Sequence, residues 1–330
     1  MRLTILLGAA LLALLAAAPA QARLVYVKDA GMESSRIYVA EDDGTKPRRL
    51  GPGRSPTISP NGRWVAWVAP GPLERIMLRR ADRSRKARQV SRASVIGDLR
   101  FSPDSTQLGM ALRNRLSVHD IPTRTTFNAA SGNIRGFSFS PDSKSVVYAT
   151  AGQNASGDAP SDLYIIEFDA GPRQRITRDR KSLNPLWGAG GIIHDRQRTR
   201  QDDAPSYNLF EVQPDGGSLR RITSLRIPAL LSGLVPVELS ADGTRLLAQF
   251  VGQDTGVGFA VDPRTGRTRS LSRDMENGFL GFDLTADGRT VLGHTGGPDP
   301  TQRHNVVTVP WGGGDPTVLV RNASFPDWSR

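Results

Sequence analysis

The residues of this chain best suited to chemistry are three carboxylates and one arginine that occupy the same place in a repeated phrase. Glu238, Asp283, Asp327 and Arg100 each stand directly before an apolar residue, in Glu238-Leu239, Asp283-Leu284, Asp327-Trp328 and Arg100-Phe101. Other copies of the phrase put Thr57, Ser138 and Leu186 at that place. Alternation along a strand separates this position from the apolar one that follows it, Ile58, Phe101, Phe139, Trp187, Leu239, Leu284 or Trp328. Three carboxylates converging from neighbouring repeats are suited to a hard cation such as Ca2+, whose oxygen ligands need little geometric precision. They are equally suited to pair with Arg100 or with water in a polar channel, so a metal is left open and no cofactor is assigned.

Other catalytic signatures are missing. There is no Gly-x-Ser-x-Gly elbow and no His-Glu-x-x-His, and no cysteine occurs in 330 residues to serve as nucleophile, thiolate ligand or disulfide partner. The four histidines, His119, His194, His294 and His304, read as residues of different repeats without ligand spacing.

The elements that must position these residues are written in the phrase itself. Its clearest copy is Phe137–Ala149, FSFSPDSKSVVYA, and further copies are Thr57–Val68, Arg100–Leu112, Glu238–Phe250 and Asp283–His294. A worn copy lies at Pro185–His194 and a truncated one at Pro326–Arg330. Ser-Pro-Asp-Gly is type I turn chemistry, because Pro presets φ and Asp bonds back to the backbone. Alternating apolar residues before the turn and β-formers after it make each copy a hairpin. A second hairpin follows in most copies, so each unit is a four-stranded sheet. The turn positions Ser59, Ser102, Ser140, Gly188, Ser240, Thr285 and Ser329 are 43, 38, 48, 52, 45 and 44 residues apart. That period is the ~40–45 residues of a propeller blade.

The expected fold is therefore an all-β, seven-bladed β-propeller; six blades result if Pro185–His194 is not a copy. The units begin near Arg54, Ile96, Ile134, Leu183, Val235 and Leu280. Residues Ala323–Arg330 supply the strand that Arg23–Gly53 lacks, so the terminal strands are expected to share one blade and close the ring. Ahead of this single domain, residues 23–330, lies a segment read as a signal peptide. Met1–Ala22 has Arg2, an apolar stretch from Leu3 and the small-x-small site Ala20-Gln21-Ala22. Cleavage after Ala22 would leave no membrane anchor and implies a periplasmic or secreted monomer.

The phrase, with Leu163-Tyr164, Asn208-Leu209, Arg175-Ile176-Thr177 and Arg220–Thr223 behind it, resembles the TolB-type, WD-like propeller repeat over nearly all of residues 23–330. The resemblance implies an exported, non-enzymatic module that binds proteins of the cell envelope. TolB itself carries an α/β domain ahead of six blades, whereas here the repeats follow the leader directly and seven are readable. Oligogalacturonate lyases resemble the same repeat class and hold a metal in the channel. They imply the alternative of a glycan-active enzyme of polysaccharide-lyase type, built on Glu238, Asp283 and Asp327 with Arg100 on a sugar carboxylate.

The chain is basic. Without Arg2, 42 Lys and Arg face 32 acids. The densest run is Arg79–Arg92, with Arg79, Arg80, Arg83, Arg85, Lys86, Arg88 and Arg92 against the single Asp82. It falls in the second hairpin of its unit, at the outer rim, and suits an anionic cell-surface polymer as a partner beside an envelope protein. Nucleic acid is not expected, because no aromatic residue interleaves with these charges to stack bases.

Overall fold

The computed structural model describes residues 23–30, 35–151, 161–169, 171–198, 206–225, 233–251, 256–271, 278–285, 287–299 and 302–329. The leader reading at Met1–Ala22 lies outside them. The described residues contain strands and no α-helix. In chain order, β1 (Arg23–Lys28), β2 (Arg36–Glu41) and β3 (Arg48–Pro52) form a first antiparallel run. The next groups are β4 (Arg54–Ile58), β5 (Trp64–Ala69), β6 (Glu74–Arg80) and β7 (Arg88–Ala93), then β8 (Ile96–Phe101), β9 (Gln107–Leu112), β10 (Arg115–Asp120) and β11 (Thr126–Ser131). β12 (Ile134–Phe139), β13 (Ser145–Thr150), β14 (Asp162–Glu167) and β15 (Gln174–Arg175) make another sheet. So do β16 (Ser182–Gly188), β17 (Gly191–Arg198), β18 (Ser206–Val212) and β19 (Arg220–Arg221).

The last part is one eight-stranded sheet made of two antiparallel fours. They are β20 (Val235–Leu239), β21 (Leu246–Val251), β22 (Gly256–Val261) and β23 (Thr268–Ser270), and β24 (Gly278–Leu284), β25 (Thr290–Thr295), β26 (Val306–Pro310) and β27 (Thr317–Val320). A two-residue parallel contact, Gly256 with Gly278 and Val257 with Phe279, joins them. Gly256 permits it, since a Cβ there would stand 2.3 Å from Leu280 Cδ2. β28 (Ala323–Trp328) pairs antiparallel with β1, placing Leu24 opposite Trp328. This all-β arrangement of four-stranded sheets is that of a β-propeller.

The five intact turn phrases fold through one side-chain network. Ser140 Oγ donates to Asp142 Oδ1 at 2.6 Å and accepts from Ser145 N at 3.0 Å, while Asp142 Oδ1 accepts from Lys144 N. Ser102 and Asp104, Ser240 and Asp242, and Thr285 and Asp287 repeat the pattern. These bonds pull the carboxylates down, Asp242 to about 2. Ser105 and Ser143 turn back with φ of 65° and 63°, where other copies use glycine. Their hydroxyls accept from Asn61 N and Asp104 N of the preceding sheet, so adjacent turns are tied together. Behind them, Thr177 Oγ1 and Thr223 Oγ1 accept from Leu163 N on β14 and Leu209 N on β18.

Apolar faces then seal sheet to sheet. Ala66, Ile76 and Leu78 pack on Phe101, Leu108 and Met110, and Val147 and Leu163 pack on Ile192 and Val212. Leu24, Tyr26 and Ala40 pack in the same way on Leu292 and Val306. The first strand of each sheet also carries a bulge, seen as a register shift at 54/57, 96/99, 134/137, 183/186, 236/238 and 281/283, with a matching one where β28 meets β1. Ser55, Asn184 and Phe325 sit in these bulges with φ of 48°, 42° and 50°. A bulge bends a strand and re-aims its side chains.

The turn network makes a direct prediction. Ser140→Ala removes one donor and one acceptor from a buried turn and should cost about 1–2 kcal/mol. Ser140→Thr should recover most of it, because Thr285 fills the same role. Equilibrium urea unfolding of the two variants checks the pair.

Candidate functional site

The bulged first strands, β4, β8, β12, β16, β20, β24 and β28, converge on one cavity of about 700 Å³. Apolar residues dominate its wall: Ile58, Phe101, Phe139, Trp187, Leu239 and Trp328, with Pro60, Pro103, Pro141, Ala189 and Ala241 from the turns. The prolines that preset the turns therefore also line the cavity. Arg100, Glu238, Asp283 and Asp327 all reach its lining, together with Asp98.

The carboxylates have a structural task there. The strand nearest the cavity has no further strand beside it, so N–H groups along its inner edge need another acceptor. Asp327 Oδ2 accepts from Ile58 N of the following sheet at 2.8 Å, and from Thr57 Oγ1 at 2.8 Å. Asp283 Oδ2 accepts from Trp328 N at 3.1 Å, and Ser138 Oγ accepts from Trp187 N at 3.1 Å. In each case the polar position of one sheet caps the N–H of the apolar position in the next. Glu238 Oε1 accepts instead from its own neighbour Leu239 N, and Asp283 Oδ1 from Leu284 N.

Arg100 departs from this pattern, since a guanidinium accepts nothing. Its Nε bonds Asp98 Oδ2 at 2.6 Å, and its side chain stays 32% exposed to the cavity. Burial works against its charge, but the fields of Asp98, Glu238 and Asp327 outweigh burial and hold the guanidinium more firmly protonated. The lining thus carries four acids against one base.

The cation that the sequence leaves open would meet carboxylates that are already engaged. Among the described residues, no three His, Cys, Asp or Glu side chains come together so as to hold a metal. The reason is visible at Asp283 and Asp327, whose oxygens are turned onto backbone N–H groups. The reading of the histidines also changes. His294 and His304 share one sheet region and their rings lie 4.4 Å apart, not in separate repeats. His294 packs against Phe282 and Phe325, both of which line the cavity. His194 and His294 are fully buried, and burial pushes both down to about 4, so both are neutral at pH 7. His119 is likewise lowered to about 4 by burial, with Arg88 beside it.

Residues beneath the bulges escaped the sequence reading. At one matched place on the second strands stand Val27, Val68, Ala111, Ala149, Asp195, Gln249 and His294. Asp195 is 1% exposed and accepts from Asn184 Nδ2 at 3.0 Å, inside the bulge of β16. Burial pushes its carboxyl up to about 7. A polar residue at a place otherwise filled by Val and Ala was the available signal.

The basic run lies away from the cavity. Arg79 and Arg80 end β6, Arg83, Arg85 and Lys86 lie in its connection to β7, and Arg88 and Arg92 lie on β7. These are the outer strands of their sheet.

No family model matches the chain, and no curated protein matches it. Solved structures do. The β-propeller domain of the Trilobed protease from Pyrococcus furiosus superposes with a TM-score of 0.65 at 14% identity, covering 92% of this chain and 95% of that one. An oligogalacturonate lyase in complex with manganese gives 0.61 at 14% identity over 92% and 86%. TolB from Acinetobacter baumannii gives 0.53 at 17% identity over 94% and 67%. The chain has the fold of a TolB-like β-propeller.

Two predictions follow from the site. Asp327→Ala leaves Ile58 N–H and Thr57 Oγ1 without their acceptor and should destabilise by about 1–3 kcal/mol, whereas Asp327→Asn, which keeps an acceptor oxygen, should lose less. Millimolar Ca2+ should leave the melting temperature of the unsubstituted protein unchanged; a rise would restore the cation reading. The second concerns Asp195, whose native pKa of about 7 lies above the ~3.9 of an unfolded Asp. Its contribution to stability is whole below about pH 4 and is lost as pH rises through 7. Asp195→Asn removes that loss, so melts should favour the variant more at pH 8 than at pH 5. The buried histidines titrate in the opposite sense in both proteins and cancel from the comparison.

Proposed function

We propose that this chain is an exported, seven-bladed β-propeller, closed by β28 in the sheet of β1, and that it works without catalysis as a binding module of the cell envelope. Its central cavity grips a segment of a partner protein. The observation that carries the reading is the cavity lining itself: apolar side chains from every sheet, with four acids against one base. Such a wall favours an extended segment with apolar side chains and a basic one facing Glu238. Counting the eight-stranded sheet as two blades supports seven, and the packing of Leu24, Tyr26 and Ala40 against Leu292 and Val306 supports closure. The leader composition of Met1–Ala22 supports export, and no described helix is long and apolar enough to cross a membrane.

The manganese-bound lyase among the structural neighbours supports a glycan-active enzyme as the second reading. Binding is preferred because Asp283 and Asp327 cap backbone groups and His294 is buried and neutral. An acidic lining also repels a polyanionic glycan.

Trp187 and Trp328 line the cavity, so their fluorescence reports its occupancy. A short Arg- and Leu-containing peptide should shift that emission and bind at least ~10-fold more tightly than its Glu-containing counterpart. Glu238→Lys should remove the preference. Equal binding of both peptides, or no response, would sink the proposal. Ring closure has its own check: truncation of Ser324–Arg330 should lower the melting temperature by more than ~5 °C, since stability is shared between neighbouring blades.

A further inference from the structure

A second surface, remote from the cavity, is built for anions. The connection between β6 and β7 is held in place by Arg79, whose Nε donates to Arg85 O at 3.0 Å and whose Nη1 donates to Leu50 O of the neighbouring sheet at 3.3 Å. Arg80 is neutralised by Asp82 at 2.9 Å. Among the described residues, Arg83, Arg85, Lys86, Arg88 and Arg92 have no carboxylate within ion-pairing distance. Arg83, Arg85, Lys86 and Arg92 are exposed, as is Arg124 on the β10–β11 connection of the next sheet.

Like charges stand close to two of these arginines. The guanidinium of Arg79 is lowered by burial and then by Arg83, and that of Arg88 by burial and then by Arg124. Arg79 is tied into the framework while Arg83, Arg85 and Lys86 stand exposed beyond it, so the hairpin presents a run of positive charge outward. The charges run along the outer edges of two adjacent sheets, a course that suits a chain with anionic groups at intervals.

From this surface we infer a binding site for an acidic polysaccharide, whose carboxylate or sulfate groups pair with Arg83, Arg85, Lys86, Arg88 and Arg124. Arginine forks match such planar acceptors. A lipid bilayer fits less well, because the run from Arg79 to Arg92 holds no exposed large apolar residue and Phe127 alone stands near Arg124, too little to insert into a membrane. Nucleic acid fits less well because the run from Arg79 to Arg92 holds no aromatic residue to stack bases. The inference does not depend on what the cavity binds.

The test uses alginate, a polyuronate, with the full mature chain, read by biolayer interferometry between 50 and 300 mM NaCl. Phosphatidylglycerol vesicles and a DNA duplex serve as comparison arms. The expected result is saturable, salt-sensitive alginate binding that weakens at least ~10-fold in Arg83→Glu/Arg85→Glu/Lys86→Glu, because each exposed pair contributes a few-fold. Arg264→Glu/Arg267→Glu/Arg289→Glu makes the same change in net charge on other sheets and should bind almost as the unsubstituted protein does. Equal weakening in both triple variants would reduce the effect to net charge and overturn the site. So would an unsubstituted protein that fails to bind alginate, or one that prefers vesicles or DNA to it at equal salt. Circular dichroism confirms that both variants are folded, and the cavity-directed peptide should bind both as before.

Discussion

The inner edge of each sheet is the constraint on which the rest depends. A propeller brings the first strand of every sheet to a common centre, where no further strand can accept its N–H groups. Leaving a buried N–H unpaired costs on the order of 1–3 kcal/mol, so uncapped inner edges would consume a large part of a domain's stability. The chain meets the demand with side chains. Asp327 caps Ile58, Asp283 caps Trp328 and Ser138 caps Trp187, each across a junction between sheets. The bulge just upstream aims these side chains, and the strained φ values at Ser55, Asn184 and Phe325 are held by the packing around them. What looks like an acidic site is, at two of its three carboxylates, part of the joinery between sheets.

The turns meet the same demand at the rim of the cavity. Ser and Asp of the phrase close each turn on itself, while Ser105 and Ser143 reach back to the preceding turn. Proline at the second place of the turn then does two things at once: it fixes φ for the turn and presents an apolar face to the cavity. Local turn chemistry and the apolar character of the wall are one feature, so the wall arises without dedicated loops. Charge is distributed by the same geometry. Acids that cap inward-facing N–H groups make the cavity negative, and arginines are left to the outer strands, so two surfaces of opposite sign result.

Much of this was legible in the sequence because the repeat is short-range. Ser-Pro-Asp-Ser at 140–143 specifies a turn through contacts within six residues, and alternation places Asp283 and Asp327 on the inward side without reference to anything distant. What escaped depended on bulges. Asp98 lies within the bulged stretch of β8, two residues from Arg100, where strict alternation no longer tells which way a side chain points. Asp195 depended on the bulge of β16, which brings Asn184 over it. His294 and His304 read as residues of different repeats, yet antiparallel pairing of β25 with β26 returns the chain and brings their rings within 4.4 Å. The cation stays open in the sequence for a related reason: alternation gives the direction of a carboxylate but not the backbone N–H that already occupies it.

The same constraint separates the polar layer into what the fold requires and what it does not. An acceptor at this position serves the next sheet, so Asp283, Asp327 and Ser138 are accounted for by the ring itself. Arg100 cannot serve that way, because every polar hydrogen it carries is a donor. Keeping it there brings a cost, the desolvation of a guanidinium among aromatic and aliphatic walls, and a partner, Asp98, is supplied to offset it. Glu238 accepts from the N–H of its own neighbour Leu239, and its charge acts with those of Asp98 and Asp327 on the Arg100 guanidinium. Arg100 is therefore the residue of the layer whose place capping does not account for, and the acids around it are what keep its charge tolerable in a largely apolar wall.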